Sequence, residues 1–218
     1  MAAERGKREW VRDYMMIYLV RHGEIDTGKS KRYIGQVDLP LTSTGIEQTM
    51  KLRDRLAGVK LAGIYCSDLN RSFITAKIIA LAHQISPVAS VDLREISLGE
   101  WEGRSFEEIR RNFPVEFARR GANLAGYVPT GGESFADFSD RIMAAFNRLV
   151  AGTDGDLLFV GHAGVNRAII SHLLGMPLNN IFQICQDYAC LNILCRDLCR
   201  DKERYRLKLL NSTEHLEF

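Results

Sequence analysis

The sequence predicts an α/β protein, a three-layer sandwich in which helices cover both faces of a largely parallel sheet. Short apolar runs of strand length alternate with helical patterns along the 218 residues. Several of these runs are continuously apolar, as expected of strands buried on both faces. The chain has no internal repeat and no Pro/Gly-rich linker, so we expect one domain at 14–218 after a charged N-terminal segment at 1–13.

The first half of the chain predicts three strands and two helices. Met15–Val20 is an apolar run of strand length, and Thr42 or Ser43 can cap the helix that follows it. In chain order, the predictions are strands at 15–20, 63–66 and 88–91 and helices at about 43–57 and 71–82.

The second half continues this alternation around one segment with little periodicity. Phe106–Asn112 predicts a short helix stopped by Pro114, and 116–129 is expected to be a loop or an irregular lid. An apolar stripe at helical spacing predicts a helix at 133–150, through Phe135, Phe138, Ile142, Phe146 and Leu149. The remaining predictions are a helix at 165–174, which ends at Gly175, and strands at 156–160, 188–195 and 205–210.

Charge and hydropathy exclude several classes of partner. The net charge is +2, from 29 basic and 27 acidic residues, so nucleic acid and an anionic membrane are not expected partners. No apolar run approaches the roughly 20 residues that span a bilayer. The first ten residues contain no apolar signal core, and the expected location is therefore cytoplasmic.

The cysteines allow two interpretations, of which packing is favoured over zinc binding. Their odd number is not typical of a disulfide framework. No CxxC pair occurs, and Cys190 and Cys195 would point to opposite faces of a strand. Free cysteine is among the most buried residue types, so we expect no metal site. The five residues are Cys66, Cys185, Cys190, Cys195 and Cys199.

Two histidines occupy matching positions at the ends of apolar strands. His22 follows the strand that ends near Val20, and His162 follows the strand that ends near Val160. Ligands of open α/β sheets bind at the carboxyl ends of strands, so both histidines are candidate site residues. The other three are interpreted as satisfied polar or surface residues: His83, His172 and His215.

Two arginines accompany these histidines. Arg21 adjoins His22, and Arg71 begins a helix just after another strand end. A guanidinium group matches phosphate oxygens bidentately and stays charged, and a helix N-terminus also suits an anion. On its own, Arg71 would more often be a surface charge. Together, the two histidines and two arginines predict a pocket for a phosphoryl dianion.

Five motifs occur in a fixed order, each at a predicted strand end or in the loop after it. They are Leu-Val-Arg-His-Gly-Glu (19–24), Asp-Leu-Pro-Leu-Thr-Ser-Thr-Gly (38–45), Ser-Asp-Leu-Asn-Arg-Ser-Phe-Ile-Thr-Ala (67–76), Leu-Arg-Glu-Ile-Ser-Leu-Gly-Glu-Trp-Glu-Gly (93–103) and Gly-His-Ala-Gly (161–164). Together they resemble the histidine phosphatase superfamily, the phosphoglycerate-mutase-like proteins. The resemblance spans about residues 15–210 and implies a phosphoglycerate-mutase-like fold.

The resemblance also implies roles for single residues. His22 matches the nucleophile that becomes phosphohistidine, and Arg21, Arg71 and His162 match groups that hold the phosphoryl oxygens. Glu95 matches the general acid and base, and only the motif selects it over Glu100 and Glu102 nearby. A neutral imidazole is a suitable nucleophile near pH 7, and a carboxylic acid can protonate a leaving alkoxide. With this much positive charge, the reaction is expected to need neither a metal nor a cofactor.

One position departs from the family pattern. The sixth residue after the nucleophile is an asparagine in many members and is Gly28 in this chain. A backbone N–H, Thr27 or Gln36 could take over its contact with phosphate.

The resemblance further favours a phosphatase over a mutase. Mutases tend to carry a longer insert between the acid and the second histidine, whereas 95–162 is short here. Pro129–Phe135 and the C-terminal strands resemble the α-ribazole phosphatases, which implies a small phosphomonoester, α-ribazole 5′-phosphate, as the lead substrate. Candidates for an aromatic shelf under a nucleoside are Phe113, Phe117, Tyr127 and Tyr188.

Several alternatives stay open. Phosphoglycerate would need more cations, and the nearby arginines are interpreted as a solvated face from which some could turn inward: Arg104, Arg110, Arg111, Arg119 and Arg120. A broad-specificity phosphatase or a phosphoglycerate mutase is the alternative within the family. A phosphate-binding protein without turnover and a zinc-stabilised interaction module are the alternatives from other classes. A homodimer is a further open expectation.

Overall fold

A six-stranded sheet forms the centre of the computed structural model, which describes residues 13–199 and 204–217. The strands are β1 (Tyr14–Arg21), β2 (Leu61–Ser67), β3 (Val88–Ser90), β4 (Asp156–Gly161), β5 (Leu191–Asp197) and β6 (Arg204–Ser212). Their order is β3-β2-β4-β1-β5-β6, and the first four run parallel. β5 pairs antiparallel with β1, and β6 pairs antiparallel with β5. The predicted largely parallel sheet is confirmed. Except for Asp13, the predicted segment 1–13 lies outside the described residues.

Helices cover both faces of this sheet, as predicted. They are α1 (Ser43–Leu56), α2 (Asn70–Ala80), α3 (Phe106–Asn112), α4 (Pro114–Ala122), α5 (Phe135–Ala151) and α6 (Ala163–Leu173). Successive side chains of a strand point to opposite faces, which divides the core in two. Leu157 and Phe159 of β4 pack in the cluster with α5 and α6, whereas Leu158 and Val160 pack in the cluster with α1 and α2.

The segment after α3 differs from the prediction. A loop or irregular lid was expected at 116–129, but residues up to Ala122 form α4. Pro114 stands in the first turn, where its missing N–H is not needed and its fixed φ suits a helix. Phe117 packs against the core, which anchors this short helix. The irregular segment is therefore limited to 123–129.

The cysteines are distributed differently from the packing interpretation. Cys66, Cys190 and Cys195 are buried as expected, but Cys185 and Cys199 are exposed. Within 13–199 and 204–217, no three His, Cys, Asp or Glu side chains are grouped as metal ligands. In the same ranges, no helix is long and apolar enough to cross a bilayer.

Candidate active site

The pairing of β1 with β4 brings the two predicted histidines together. The strands are parallel, and Arg21 is in register with Gly161, so the next residue of each strand is a histidine. The backbone N–H of His22 donates to the carbonyl of Gly161 at 3.0 Å. The rings of His22 and His162 lie 5.2 Å apart, edge to face, and both residues are buried.

The environment of His22 leaves a lone pair on one ring nitrogen. Its Nδ1 lies 2.7 Å from the carbonyl oxygen of Gly23. A carbonyl only accepts hydrogen bonds, so Nδ1 carries the proton and Nε2 carries the lone pair. Burial, followed by Arg21 and Arg71, lowers the pKa of His22 well below its ordinary value. His22 is therefore a neutral imidazole whose Nε2 has no hydrogen-bond partner among the described residues.

Arg71 is fixed by two loops and by the second histidine. It is 1% exposed, and it donates from Nη1 to Val37 O at 2.7 Å and from Nη2 to Gly35 O at 2.8 Å. Its Nε lies 3.3 Å from Nδ1 of His162. These bonds use three of the five N–H groups of a guanidinium, which leaves donors for a ligand.

The contact with Arg71 also determines the form of His162. A guanidinium can only donate, so Nδ1 of His162 accepts and Nε2 carries the proton. Burial, then Arg71, lowers the pKa of His162 well below its ordinary value, which keeps the ring neutral. Its Nε2–H is buried without a partner in the described parts of the chain. His162 is thus a hydrogen-bond donor that awaits an acceptor.

A buried amide network positions Arg21. Nη1 of Arg21 donates to Gln186 O at 2.6 Å, and its guanidinium lies 3.9 Å over the ring of Tyr188. The side-chain oxygen of Gln186 accepts from Asn166 at 2.9 Å and from Asn192 at 3.0 Å. Nε of Arg21 is buried with no partner in 13–199 and 204–217. We call Arg21, His22, Arg71 and His162 the phosphoryl pocket.

Sequence reasoning did not assign any role to the two asparagines of this network. Asn192 interrupts the apolar run of β5, and Asn166 lies among apolar residues of α6. A polar residue inside an apolar run is a signal of a buried hydrogen-bond network. The sequence contains that signal, but it does not show that the network holds Gln186 and, through it, Arg21.

Glu95 is the carboxylate that faces the cavity. Its Oε2 accepts from the backbone N–H of Gly164 at 2.9 Å, and its Oε1 accepts from Ile96 N at 3.0 Å. A Cβ on Gly164 would collide with Oε1, so any larger residue there would displace the Glu95 carboxylate. Glu100 is exposed and Glu102 binds the backbone of Gln36 and Leu98, and neither lines the cavity. The placement agrees with the choice of Glu95 by motif.

Gly28, which stands where many family members have asparagine, lies in a loop beside the main cavity. Gly28 lines a smaller adjacent pocket, and its N–H already donates to the Asp26 carboxylate at 2.8 Å. The side-chain amide of Gln36 donates to the carbonyl of Glu95 at 3.1 Å. Of the three proposed substitutes for the missing asparagine, Thr27 is the one that lines the main cavity.

The phosphoryl pocket opens into a cavity of about 320 Å³. Besides Tyr188, it is lined by four aromatic residues, which we call the aromatic wall: Tyr33, Phe106, Phe135 and Phe182. Tyr33 and Phe106 have ring centroids 4.1 Å apart, and Phe135 and Phe182 have centroids 5.7 Å apart.

Two predictions about the surroundings of the phosphate are partly wrong. Tyr188 lines the cavity, but Phe113, Phe117 and Tyr127 pack against the core instead. Four of the five arginines assigned to a solvated face are exposed, whereas Arg120 lines the cavity. The sequence predicts a loop at 116–129, where the structure has α4. A loop has no regular face, so the prediction could not tell which side chains turn toward the cavity.

The fold and the site together define a phosphoryl-transfer protein with a neutral histidine in an arginine-rich pocket. The sequence matches the histidine phosphatase superfamily (branch 1) over residues 17–213. It is 31% identical over 199 residues to the adenosylcobalamin/alpha-ribazole phosphatase of Salmonella typhimurium, which covers 91% of this chain and 96% of that protein. It is 33% identical over 168 residues to the probable phosphoglycerate mutase GpmB of Proteus mirabilis, covering 75% of this chain and 76% of that protein.

A solved structure supports the same assignment. The alpha-ribazole phosphatase from Shigella flexneri superposes with a TM-score of 0.81 at 28% identity, covering 91% of this chain and 97% of that one. The chain belongs to the histidine phosphatase superfamily. The predicted family, its fold and its class as a phosphatase are confirmed.

Proposed function

We propose that this protein hydrolyses phosphomonoesters in two steps, through a phosphohistidine at His22. Nε2 of His22 attacks phosphorus, and the bond from phosphorus to the alcohol oxygen breaks. Glu95, in its acid form, gives its proton to the departing oxygen. Water then attacks the phosphohistidine, Glu95 takes a proton from it, and inorganic phosphate leaves with His22 neutral again.

The observation that carries this proposal is the set of unsatisfied groups around His22. Its Nε2 lone pair has no partner among the described residues, and Nε of Arg21 and Nε2–H of His162 are buried donors without acceptors. Buried polar groups are nearly always paired in folded proteins, so these donors suit a ligand rich in acceptors. The equatorial oxygens of a transferring phosphoryl group meet that need, and the same donors stabilise its transition-state charge.

The contact with Gly23 supports the covalent step. As phosphate forms a bond to Nε2, the ring becomes cationic, and the Nδ1–H bond to the Gly23 carbonyl becomes stronger. The pocket itself provides the positive charge that balances the phosphoryl group, through Arg21 and Arg71. The proposed reaction therefore assigns no step to a metal ion.

We propose a nucleoside 5′-phosphate as the substrate, with α-ribazole 5′-phosphate as the lead. The relatives named for that activity support it, and so does the aromatic wall, which can stack a flat apolar base. A broad-specificity phosphatase and a phosphoglycerate mutase are the alternatives within the family, the second because of the likeness to a probable mutase.

A comparison of kcat/KM separates these candidates. It uses α-ribazole 5′-phosphate, 3-phosphoglycerate and an aryl phosphate, with isomerisation of phosphoglycerate assayed in parallel. A preference of at least tenfold for the nucleotide, about 1.4 kcal/mol of transition-state discrimination, is expected. Equal values for all three would replace the lead with a broad-specificity phosphatase, and isomerisation would replace it with a mutase.

A further inference from the structure

A short turn just before β5 holds the side chain of Arg21. Nη1 of Arg21 donates to Gln186 O at 2.6 Å, and its guanidinium lies 3.9 Å over the ring of Tyr188. The backbone N–H of Arg21 donates to Cys190 O at 3.2 Å. We call residues 186–190 the arginine turn, because they contact Arg21 through their backbone and through a ring. The orientation of this guanidinium therefore depends on the conformation of the turn.

The arginine turn contains a residue in an unfavourable backbone conformation. Ala189 has a φ of 54°, in the left-handed region that alanine rarely occupies. A residue in such a conformation persists only where its surroundings hold it there. Two hydrogen bonds do so, from Ala189 N to His22 O at 3.1 Å and from His215 Nε2 to Ala189 O at 3.0 Å. The turn thus depends on partners outside itself, and one of them comes from the segment that follows β6.

A bulge in the last strand supplies a further partner, Asn211. Between its pairs with Leu191 and Ile193, β6 has one residue more than β5, and Asn211 lies there with a φ of 51°. A bulge of this kind redirects a side chain. Oδ1 of Asn211 accepts from Asp187 N at 2.7 Å, and its Nδ2 donates to Asp187 Oδ2 at 2.6 Å. We call these two bonds the amide–carboxylate pair.

The same asparagine is joined to the buried amide network. Its backbone N–H donates to Asn192 Oδ1 at 2.8 Å, and this oxygen also accepts from Gln186 Nε2 at 2.8 Å. Asn211 therefore reaches two successive residues of the arginine turn, Gln186 through Asn192 and Asp187 directly. Neither Asn211 nor Asp187 lines the cavity, so an effect of either residue on catalysis has to be indirect.

We propose that Asn211 is a positioning residue for Arg21, which it holds through the arginine turn without touching the substrate. This inference rests on the proposed phosphatase function and adds to it a residue outside the cavity. Arg21 stabilises the phosphoryl transition state only while its donors point at the phosphoryl oxygens, and a small displacement of such a group lowers the rate. The amide–carboxylate pair lies at the surface, where loss of a polar contact changes stability little. Breaking it should therefore impair catalysis more than folding.

Exchanging the two side chains tests the pair. Asn211→Asp places a carboxylate opposite that of Asp187, and repulsion between like charges breaks the pair. We expect kcat/KM for an aryl phosphate to fall at least about tenfold. Adding Asp187→Asn re-forms the pair in the reverse direction, because the new carboxylate accepts from both the backbone and the amide of residue 187. This double variant should recover most of the lost activity.

A matched control separates the pair from the added charge. Asn147 is exposed on α5 and does not line the cavity, so Asn147→Asp makes the same chemical change elsewhere. Its kcat/KM should equal that of the wild-type protein. Circular dichroism and thermal unfolding establish that every variant is folded.

A double-mutant cycle tests whether the effect passes through Arg21. Arg21→Ala removes the guanidinium, so Asn211→Asp should then lower kcat/KM by less than about twofold. A general structural role for Asn211 would give the same loss in both backgrounds. The cycle is repeated with Arg21→Lys, which keeps a cation but lacks the planar guanidinium that the arginine turn holds.

Failure of this inference is distinct from failure of the proposed function. If the wild-type protein hydrolyses no phosphomonoester, the phosphatase is refuted, and the affinity of the same variants for inorganic phosphate, measured by calorimetry, tests Asn211 instead. If hydrolysis occurs but Asn211→Asp is as active as the wild type, the positioning role is overturned. Failure of the exchange to restore activity, or equal losses with and without the Arg21 guanidinium, would also overturn it.

Discussion

The phosphoryl pocket and the aromatic wall face one cavity, but their side chains are held in different ways. In the phosphoryl pocket, His22, Arg71 and Arg21 are tied to backbone carbonyls at 2.6 to 2.8 Å. At the aromatic wall, Phe106 and Phe182 are 38% and 51% exposed, and Arg120 lies against the rings of Tyr33 and Phe135.

This difference suggests a division of work between the two regions. Groups that stabilise a transition state must be fixed before the reaction, and hydrogen bonds to strand ends and loops fix them. Groups that select the alcohol can come from less constrained segments, since adaptation there changes which substrate binds and not how phosphorus reacts. Substitutions in the phosphoryl pocket should therefore affect all substrates, and those at the wall should affect some.

The largest expected effect is that of His22→Asn. Loss of the nucleophile should lower kcat by roughly three to six orders of magnitude for aryl and alkyl phosphates alike. Steady-state rates with both substrate types measure it, and His83→Asn, outside the cavity, is the matched control. A variant with near-wild-type rates would show that the chemistry does not pass through residue 22.

Glu95→Gln should have a large effect that depends on the leaving group. Alkyl phosphates leave as basic alkoxides and need a proton, so their kcat should fall by about 10²–10⁴. Aryl phosphates leave as weaker bases and should be affected much less. Exposed Glu100→Gln is the control and should be close to wild type with both. Equal losses on the two substrate types would favour a structural role for Glu95, through its bond to Gly164.

The two buried histidines predict how stability depends on pH. Their pKa values are lowered in the folded state, so below about pH 6.5 the unfolded chain binds more protons and folding stability falls. His22→Gln removes one contribution, and the loss of stability between pH 7.5 and 5.5 should shrink by about 1.4 kcal/mol. Denaturant unfolding at both pH values tests this, with exposed His172→Gln as the control. An unchanged pH dependence would mean that His22 is not held neutral.

The smallest expected effect is that of chelation, which should leave kcat/KM unchanged. The positive charge of the phosphoryl pocket comes from Arg21 and Arg71, and the proposed steps involve no metal-bound water. Activity is measured after exhaustive dialysis against a chelator. A loss that added metal restores would contradict a pocket that works by guanidinium and imidazole groups alone.

The phosphoryl pocket could be predicted from sequence because its residues follow recognisable strands. Two apolar runs locate β1 and β4, and an α/β sheet has its ligand site at the carboxyl ends of its strands. The pairing of β1 with β4, which makes His22 and His162 neighbours, is seen only in the structure. The two glycines that follow these histidines in the motifs allow close approaches, at Gly23 and Gly164. For these residues, the apolar runs in the sequence were enough to indicate where in the sheet the side chains lie.

The aromatic wall could not be predicted in the same way. Tyr33, Phe135 and Phe182 belong to segments far apart in the chain, and no local pattern relates them. Arg120 depends on α4, which is short and was assigned to a loop, and one residue of helical rotation decides whether an arginine faces solvent or the cavity. Tertiary packing, through Phe117 against the core, settles that rotation.

Trapping the phosphoenzyme tests the central claim most directly. The protein is mixed with an excess of a ³²P-labelled aryl phosphate, whose fast departure favours accumulation of the intermediate, and is quenched within the first turnover. We predict acid-labile, base-stable label on His22, at Nε2, because Nδ1 is bonded to the Gly23 carbonyl. Label on another residue, or a first turnover that releases the aryl alcohol and phosphate together with no labelled protein, would contradict the account.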